Sequence, residues 1–510
     1  MRTLLELIRI ITKSKARHLE VLEKAPEDNS MVLHFYGALC DGKVKTDEEA
    51  LQFLYGANYK HSSYRNLKSG LKRRLLNSLL FVHLDDPSLN EQERAYYNCQ
   101  KDWAAVKVLL RKGARHIAVE LAEKTLKLAL KFDLTEIVVQ ASQVLRFHYG
   151  TRIGDLKKMQ EYDELHKKYT DAWRFESLAE EYYTLIIANF INERAAKAAS
   201  SRQALKYFDR IKGAMTEYRT YRLLFLGNLL RIIAYRSVND YGRTVESCEQ
   251  AIRAFEAKGY EVKTPIYTFL HQQILAQIQL KQFEEGDRTA RKAAGLIPAG
   301  TVNWFVNMEL LLILSLHARH YQRACEVFLE AVSHRGFRKL REIDKEQWRI
   351  HEAYIHFLLE NGKAAFGQAN GQLRKFRLGR FLNEVPVFSR DKQGMNVAIL
   401  IVQILFLIVK KRYKEAVGRI DSVNKYRVRY LYRDKALRRS NYFVKMLIQI
   451  PLCGFHKAAV LRKSEKYHKQ LKAIPLEVAN QTYGIEIIPY EDLWDFVLES
   501  LEPRFYKRRR

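Results

Sequence analysis

Proline and glycine are scarce, at 9 and 23 of 510 residues. A chain so poor in breakers and rich in Leu, Ala, Lys, Arg, Glu and Gln reads as long helices, with strands few or absent. Cysteine is also sparse. Cys40, Cys99, Cys248, Cys325 and Cys453 are far apart, odd in number and never in a Cys-x-x-Cys pair, which argues against a disulfide frame or a zinc knuckle. They are expected as buried small apolar residues. A long hydrophobic run is missing too: the most apolar stretch, Val397 to Val409, is 13 residues long and holds Gln403. A bilayer needs roughly 20 apolar residues, so this is expected as a core helix and no integral membrane insertion follows. The N-terminal run Met1 to Ile11 is interrupted by Glu6 and Arg9 at helical spacing. That pattern is an amphipathic helix rather than a signal sequence, and the chain is expected to be cytoplasmic.

Enzyme signatures are lacking in the same way. No Walker loop, dinucleotide fingerprint or nucleophile elbow occurs, and Gly367-Gln368-Ala369-Asn370-Gly371 has no following Lys-Ser or Lys-Thr. His351 and His356 are five apart. On a helix they diverge by about 140° and cannot share a zinc ion. His317 and His320 have no acidic or cysteine neighbour and are expected in a turn or at the surface. No catalytic residue, cofactor or metal is assigned, and a non-enzyme is expected.

What the chain does have is material for a core and an excess of positive charge. Hydrophobic residues make up 47% and aromatics 12%, against 28% charged, which excludes a disordered chain. The 87 Lys and Arg against 58 Asp and Glu leave a net charge of +29. Such a field favours nucleic acid, anionic membrane or acidic protein partners without choosing among them, and a solvated surface with no anionic partner is the plain alternative.

A repeat emerges when four stretches are overlaid: Tyr241-Thr244-Cys248-Ala251, Phe283-Gly286-Ala290-Ala293, Tyr321-Ala324-Phe328-Ala331 and Tyr413-Ala416-Ile420-Val423. Each set lies on one helical face, where small side chains let another helix approach closely. Tyr241, Ala251, Phe283, Ala290, Tyr321, Ala324, Phe328, Tyr413 and Ala416 therefore mark a packing seam. Tyr241 to Phe283 is 42 residues and Phe283 to Tyr321 is 38, a period that fits a two-helix unit. The 92 residues from Tyr321 to Tyr413 leave room for one more. An apolar helix precedes each seam, at Leu223 to Val238, Thr268 to Leu280, Met308 to Leu316 and Val397 to Val409.

These stretches resemble the tetratricopeptide family. The aromatic, the small residues and the closing Pro298 fall in place from Phe283 onward, as do Tyr321, Ala324, Phe328 and Ala331. Weaker matches sit at Ala118-Ala122-Thr125, Leu156-Met159 and Ala204-Phe208. The first-helix tryptophan and leucine-glycine are mostly missing and the period exceeds the family's, so no family ligand site carries over. The resemblance implies an all-α fold, a right-handed α-solenoid of tetratricopeptide-like hairpins. The array would cover 96–475, between an atypical, basic helical N-terminal cap at 1–95 and a C-terminal cap helix with a basic tail at 476–510. Two or three helices are expected in the cap, including Asp47 to Tyr55 and Tyr64 to Val82, joined by a loop from Gly56 to Ser63.

Three surfaces could bind anions. On the Tyr64 to Leu75 helix, Arg65, Lys68 and Lys72 cluster beside Leu67, Leu71 and Leu75; the alternative is a basic outer face. Where a second helix should follow Gly362, an irregular segment carries Arg374, Lys375, Phe376, Arg377, Arg380 and Phe381. One repeat later the link Lys425-Tyr426-Arg427-Val428-Arg429-Tyr430-Leu431-Tyr432-Arg433 is again basic and aromatic. Successive links of a hairpin stack lie side by side, so arginines for phosphates and rings for unpaired bases would meet on one edge. Alternatively, the rings pack under the links and the arginines cover them. The third surface is the basic tail Arg504 to Arg510. A scaffold holding a protein or peptide partner is the leading expectation, with RNA or single-stranded DNA second. Oligomeric state and partner identity stay open.

Overall fold

The computed structural model describes residues 1–13, 29–56, 61–79, 90–192, 197–365, 379, 395–428, 438–474 and 486–506. Among these the chain is all-helical, with no named strand and a single isolated bridge, His456 to Glu502. The helices pack in neighbouring pairs. Among the described residues, no helix is long and apolar enough to cross a membrane. The chain forms two compact units, Met1–Arg174 with Gly259–Glu261, and Phe175–Lys258 with Val262–Arg510.

The first unit opens with four helices, more than the two or three expected: α1 (Arg2–Lys13), α2 (Asn29–Cys40), α3 (Asp47–Tyr55) and α4 (His61–Ser78). Thr46 and Glu49 close α3 with a reciprocal capping box. Helix α4 begins at His61, so the link after α3 is shorter than the sequence pattern suggested. Leu4, Phe35, Leu71 and Leu75 form the core of this group. Asp47 ties it together, accepting from the Met1 amino group at 3.2 Å, the Tyr64 hydroxyl at 2.5 Å and Lys68 Nζ at 2.6 Å. A second core joins α5 (Glu91–Arg111), α6 (Arg115–Lys131) and α7 (Thr135–His148) through Trp103, Ala118, Ala122 and Leu145. Helix α8 (Leu156–Asn192) spans the division between the units.

The second unit carries α9 (Lys197–Tyr218), α10 (Tyr221–Ser237), α11 (Tyr241–Glu256), α12 (Lys263–Leu280), α13 (Phe283–Ala294), α14 (Val302–His317), α15 (Tyr321–Ser333) and α16 (Glu342–Glu360). It continues with α17 (Met395–Val409), α18 (Tyr413–Tyr426), α19 (Arg438–Leu452), α20 (Lys457–Lys472) and α21 (Tyr490–Ser500). Helix α12 starts five residues before the expected Thr268, because Pro265 falls in the first turn, where its missing N–H leaves no helical bond unmade. Helix α14 starts at Val302 rather than Met308, its end closed by Thr301 Oγ1 accepting from Trp304 N at 3.3 Å.

Four hairpins of this unit close on the same link. Asn239, Lys281, Arg319 and Lys411 each adopt a positive φ, between 54° and 61°, two residues before Tyr241, Phe283, Tyr321 and Tyr413. In each, the following amide reaches back five residues along the link to a helix carbonyl: Asp240 to Tyr235, Gln282 to Gln277, His320 to Ser315 and Arg412 to Leu407. This is the Schellman arrangement, built here on side-chain-bearing residues in place of glycine. It fixes where the aromatic enters the second helix. The seam residues are accordingly packed: Ala251, Ala290, Ala324, Phe328 and Ala416 are buried, Tyr241 and Tyr413 nearly so, and Phe283 and Tyr321 half-buried.

Gly286 shows what a small residue does there, since a Cβ would lie 2.8 Å from Leu314 Cδ1 of α14. First helices of successive hairpins also bond directly, Tyr267 Oη to Asn303 O at 2.9 Å and Tyr354 Oη to Ala398 O at 3.0 Å. The apolar Val397 to Val409 stretch lies in the core as α17, with Gln403 buried. Three cysteines are buried as expected, but Cys40 is exposed and Cys453 half-exposed, each at the end of a helix.

The C-terminal segment runs across several hairpins. Phe496 of α21 meets Tyr321 at 5.8 Å and Phe357 at 6.2 Å between ring centroids, while Tyr490 stacks on Phe443 at 4.5 Å. Beyond α21, Tyr506 packs on Tyr413 at 5.1 Å, as does Phe455 of the α19–α20 link at 4.2 Å.

Candidate functional site

The anion-binding positions read from the sequence do not assemble into one described surface. Arg374, Lys375, Arg377, Arg380, Arg429 and Arg433 lie outside the described residues, as do Lys507 to Arg510. Arg427 is held between α18 and α19, donating from Nε to Asn424 Oδ1 at 3.0 Å and from Nη1 to Asn441 Oδ1 at 3.3 Å. On α4, Arg65 and Lys72 are exposed. Lys68 is instead consumed by Asp47 and lies over the Tyr64 ring. Its ammonium, on a half-buried side chain, completes the Asp47 hub, so only Arg65 and Lys72 of that trio are exposed.

A surface that the sequence reading passed over lies between α15 and α16. The link here, His334 to Arg341, carries a 3₁₀ turn, Arg335–Lys339. Two glycines let it lie flat against the preceding link: a Cβ on Gly336 would sit 2.7 Å from Gly300 O, and one on Gly300, whose φ is +79°, would sit 2.1 Å from His334 Cε1. His334 Nδ1 accepts from the Gly336 amide at 3.0 Å, and its ring rests 5.0 Å from that of Trp304. Phe337 anchors the far side against Phe305 and Trp348, at 5.9 and 6.3 Å. The turn is thus held by packing on both sides.

In front of it opens a depression of about 700 Å³, with Phe328, Phe337 and Trp348 in its floor and Arg335, Arg338, Lys345 and Arg349 around it. Glu342 takes Lys345 at 2.8 Å and Arg349 at 3.9 Å. Arg335 and Arg338 are exposed and have no ion-pair partner among the described residues. The stretch His334-Arg335-Gly336-Phe337-Arg338-Lys339 has the same basic and aromatic character as the two links singled out in the sequence. Applying that criterion to every link would have found it.

A second polar concentration is internal. Arg439 of α19 is buried, its guanidinium donating to Glu486 at 2.6 and 3.0 Å, to Glu491 at 2.6 Å, and to the carbonyls of Leu471 and Ile474 at 3.0 and 2.7 Å. Burial alone would lower its pKa, but the two carboxylates raise it above the ordinary arginine value. The guanidinium stays charged and binds the C-terminal segment to α19. His317 joins this cluster and is not the turn or surface residue expected: it is buried, with Nε2 2.6 Å from the carbonyl oxygen of Glu486. A carbonyl only accepts, so the proton is on Nε2. Burial pushes His317 down to about 4, against a smaller opposing effect of that bond.

His351 is equally internal, 3.0 Å from Glu309 Oε1, which also accepts from Gln347. Among the described residues, no group of three His, Cys, Asp or Glu side chains is placed to hold a metal ion. Comparison with known proteins gives no match, neither to a family model, nor to a curated protein, nor to a solved structure.

Proposed function

We propose that this chain is a non-catalytic, cytoplasmic scaffold or adaptor. In this reading its hairpins form a right-handed, tetratricopeptide-like stack and hold a protein or peptide partner. The observation that carries the reading is the recurrence of one link geometry ahead of Tyr241, Phe283, Tyr321 and Tyr413. A repeated, rigid join sets helix after helix in the same attitude, which suits recognition spread along an extended surface. The net charge of +29 favours an acidic partner.

The same charge supports a second reading, binding of RNA or single-stranded DNA. Such binding uses exposed aromatic planes for bases beside cations for phosphates. At the α15–α16 depression Phe328 and Trp348 are buried and Phe337 alone of the three rings is half-buried, which leaves a run of bases few planes to stack on. Purification at low and high salt separates the two. A protein partner that survives nuclease treatment is expected. Copurifying nucleic acid whose absorbance collapses in high salt, with no protein partner, would reverse the order.

A further inference from the structure

We propose that the depression between α15 and α16 is a docking site for an acidic peptide segment carrying one apolar anchor side chain. The inference rests on the scaffold reading and names the chemistry of its partner at one place. Four cations surround the depression, Arg335, Arg338, Lys345 and Arg349, against the carboxylates of Glu342 and Glu352. Both arginines of the 3₁₀ turn are exposed and unmatched by any described carboxylate. The turn that presents them is fixed by Gly300, His334, Gly336 and Phe337, so little ordering is needed when a partner arrives.

The floor explains the anchor. Within about 700 Å³ the half-buried Phe337 and Val332 side chains, backed by the buried Phe328 and Trp348, form an apolar patch large enough to seat one bulky side chain. A purely polar chain would leave it wet. A single-stranded nucleic acid would meet the arginines but would find the Phe328 and Trp348 faces covered, at 1% and 3% exposure, leaving only the half-buried Phe337 ring where such binding uses successive planes. Charge complementarity and an apolar seat together select a peptide in which acidic residues flank a leucine or phenylalanine.

The test uses the full chain and fluorescence anisotropy with a labelled dodecapeptide of alternating Asp and Glu around a central Leu-Phe pair. A matched peptide with Ser-Ser at the centre and a twelve-residue oligo(dT) serve as comparisons. In one variant Arg335→Glu, Arg338→Glu and Arg349→Glu remove the proposed contacts. In the other, Arg253→Glu, Arg288→Glu and Arg291→Glu make the same charge change on the exposed faces of α11 and α13. Helicity and Tm of both variants are compared with the parent chain, and a groove variant in which the same three positions become Gln replaces the first if it does not fold.

The expected result is a loss of at least tenfold in affinity for the Leu-Phe peptide in the groove variant and less than twofold in the other, with weaker binding of the Ser-Ser peptide to the parent chain. Equal losses in both variants would reduce the effect to the general field. Equal binding of the two peptides would remove the apolar seat, and a larger loss for oligo(dT) than for peptide would assign the site to nucleic acid. Any of these overturns the proposal. The scaffold reading survives them if a protein partner still crosslinks to other hairpins of the groove variant.

Discussion

Arg439 grips both carboxylate oxygens of Glu486, through Nε at 2.6 Å and Nη2 at 3.0 Å. The two side chains are 2% and 5% exposed, so neither charge has water to fall back on. Breaking such a pair from one side costs about 3–5 kcal/mol, because a bare charge stays buried. Arg439→Met is expected to destabilise the chain by that amount, and adding Glu486→Leu is expected to recover a substantial part of it. Denaturant unfolding of the single and double variants gives the coupling.

Buried and half-buried histidines set the response to acid. Burial pushes His271, His317 and His356 each from 6.5 down to about 4. In the unfolded chain these rings take up protons as the pH drops below about 6.5, whereas the folded chain resists until about 4. The unfolded state therefore binds more protons in that window, and stability falls as pH falls from about 6.5 to 4. Thermal unfolding across this range is expected to show the loss, and His317→Gln is expected to reduce its slope by about one proton. Asp47 acts lower: burial raises its pKa, but hydrogen bonds from Lys68, Tyr64 and the Met1 amino group outweigh this and hold it at about 2. Its contribution is present above 3.8 and disappears as the pH drops toward 2.

The left-handed residues at the hairpin links store strain that glycine would relieve. An ordinary residue in this conformation costs about 1–2 kcal/mol. At Lys281, whose φ is 57°, replacement by Gly is expected to raise stability by up to about 1 kcal/mol. Arg319→Gly is expected to gain nothing or lose, since Arg319 also donates to Asp492 at 2.6 Å and 3.1 Å. Thermal unfolding of the two variants side by side distinguishes link strain from lost contact.

Small residues on the seam are required by volume. Ala290, Ala324 and Ala416 are fully buried, and enlarging any of them pushes neighbouring helices apart. Ala324→Leu is expected to cost about 1–3 kcal/mol or more. The exposed Arg65→Ala and Lys72→Ala on α4 are expected within about 0.5 kcal/mol of the parent chain. Lys68→Ala is expected to be worse than either, because it strips a partner from Asp47. Urea midpoints at constant slope provide the check.

The helices and their seams were legible because packing leaves a periodic trace. Tyr241, Ala251, Ala324 and Ala416 sit where an aromatic followed by small residues at helical spacing says they should. The starts of α12 and α14 were not, since Pro265 and Thr301 mark helix ends by local backbone bonding that an apolar pattern does not register. Nor were the links. Positive φ falls on Lys281, Arg319 and Lys411, residues without the glycine signature that would announce it. His317 was misplaced for a different reason: its partner is a carbonyl 169 residues away, and backbone atoms carry no sequence signal. The Arg335–Lys339 turn had the right composition but offered no way to see that Gly300, far along the chain, would lock it in place.

The central claim is that this chain works by holding a protein. A photoreactive phenylalanine analogue at Ser333, exposed beside the depression, and another at Arg253, exposed on α11, test it in the cell of origin. A discrete protein adduct from position 333 that resists nuclease, with little or none from position 253, is the expected result. Adducts that vanish on nuclease treatment, with no nuclease-resistant protein adduct from either position, would contradict it.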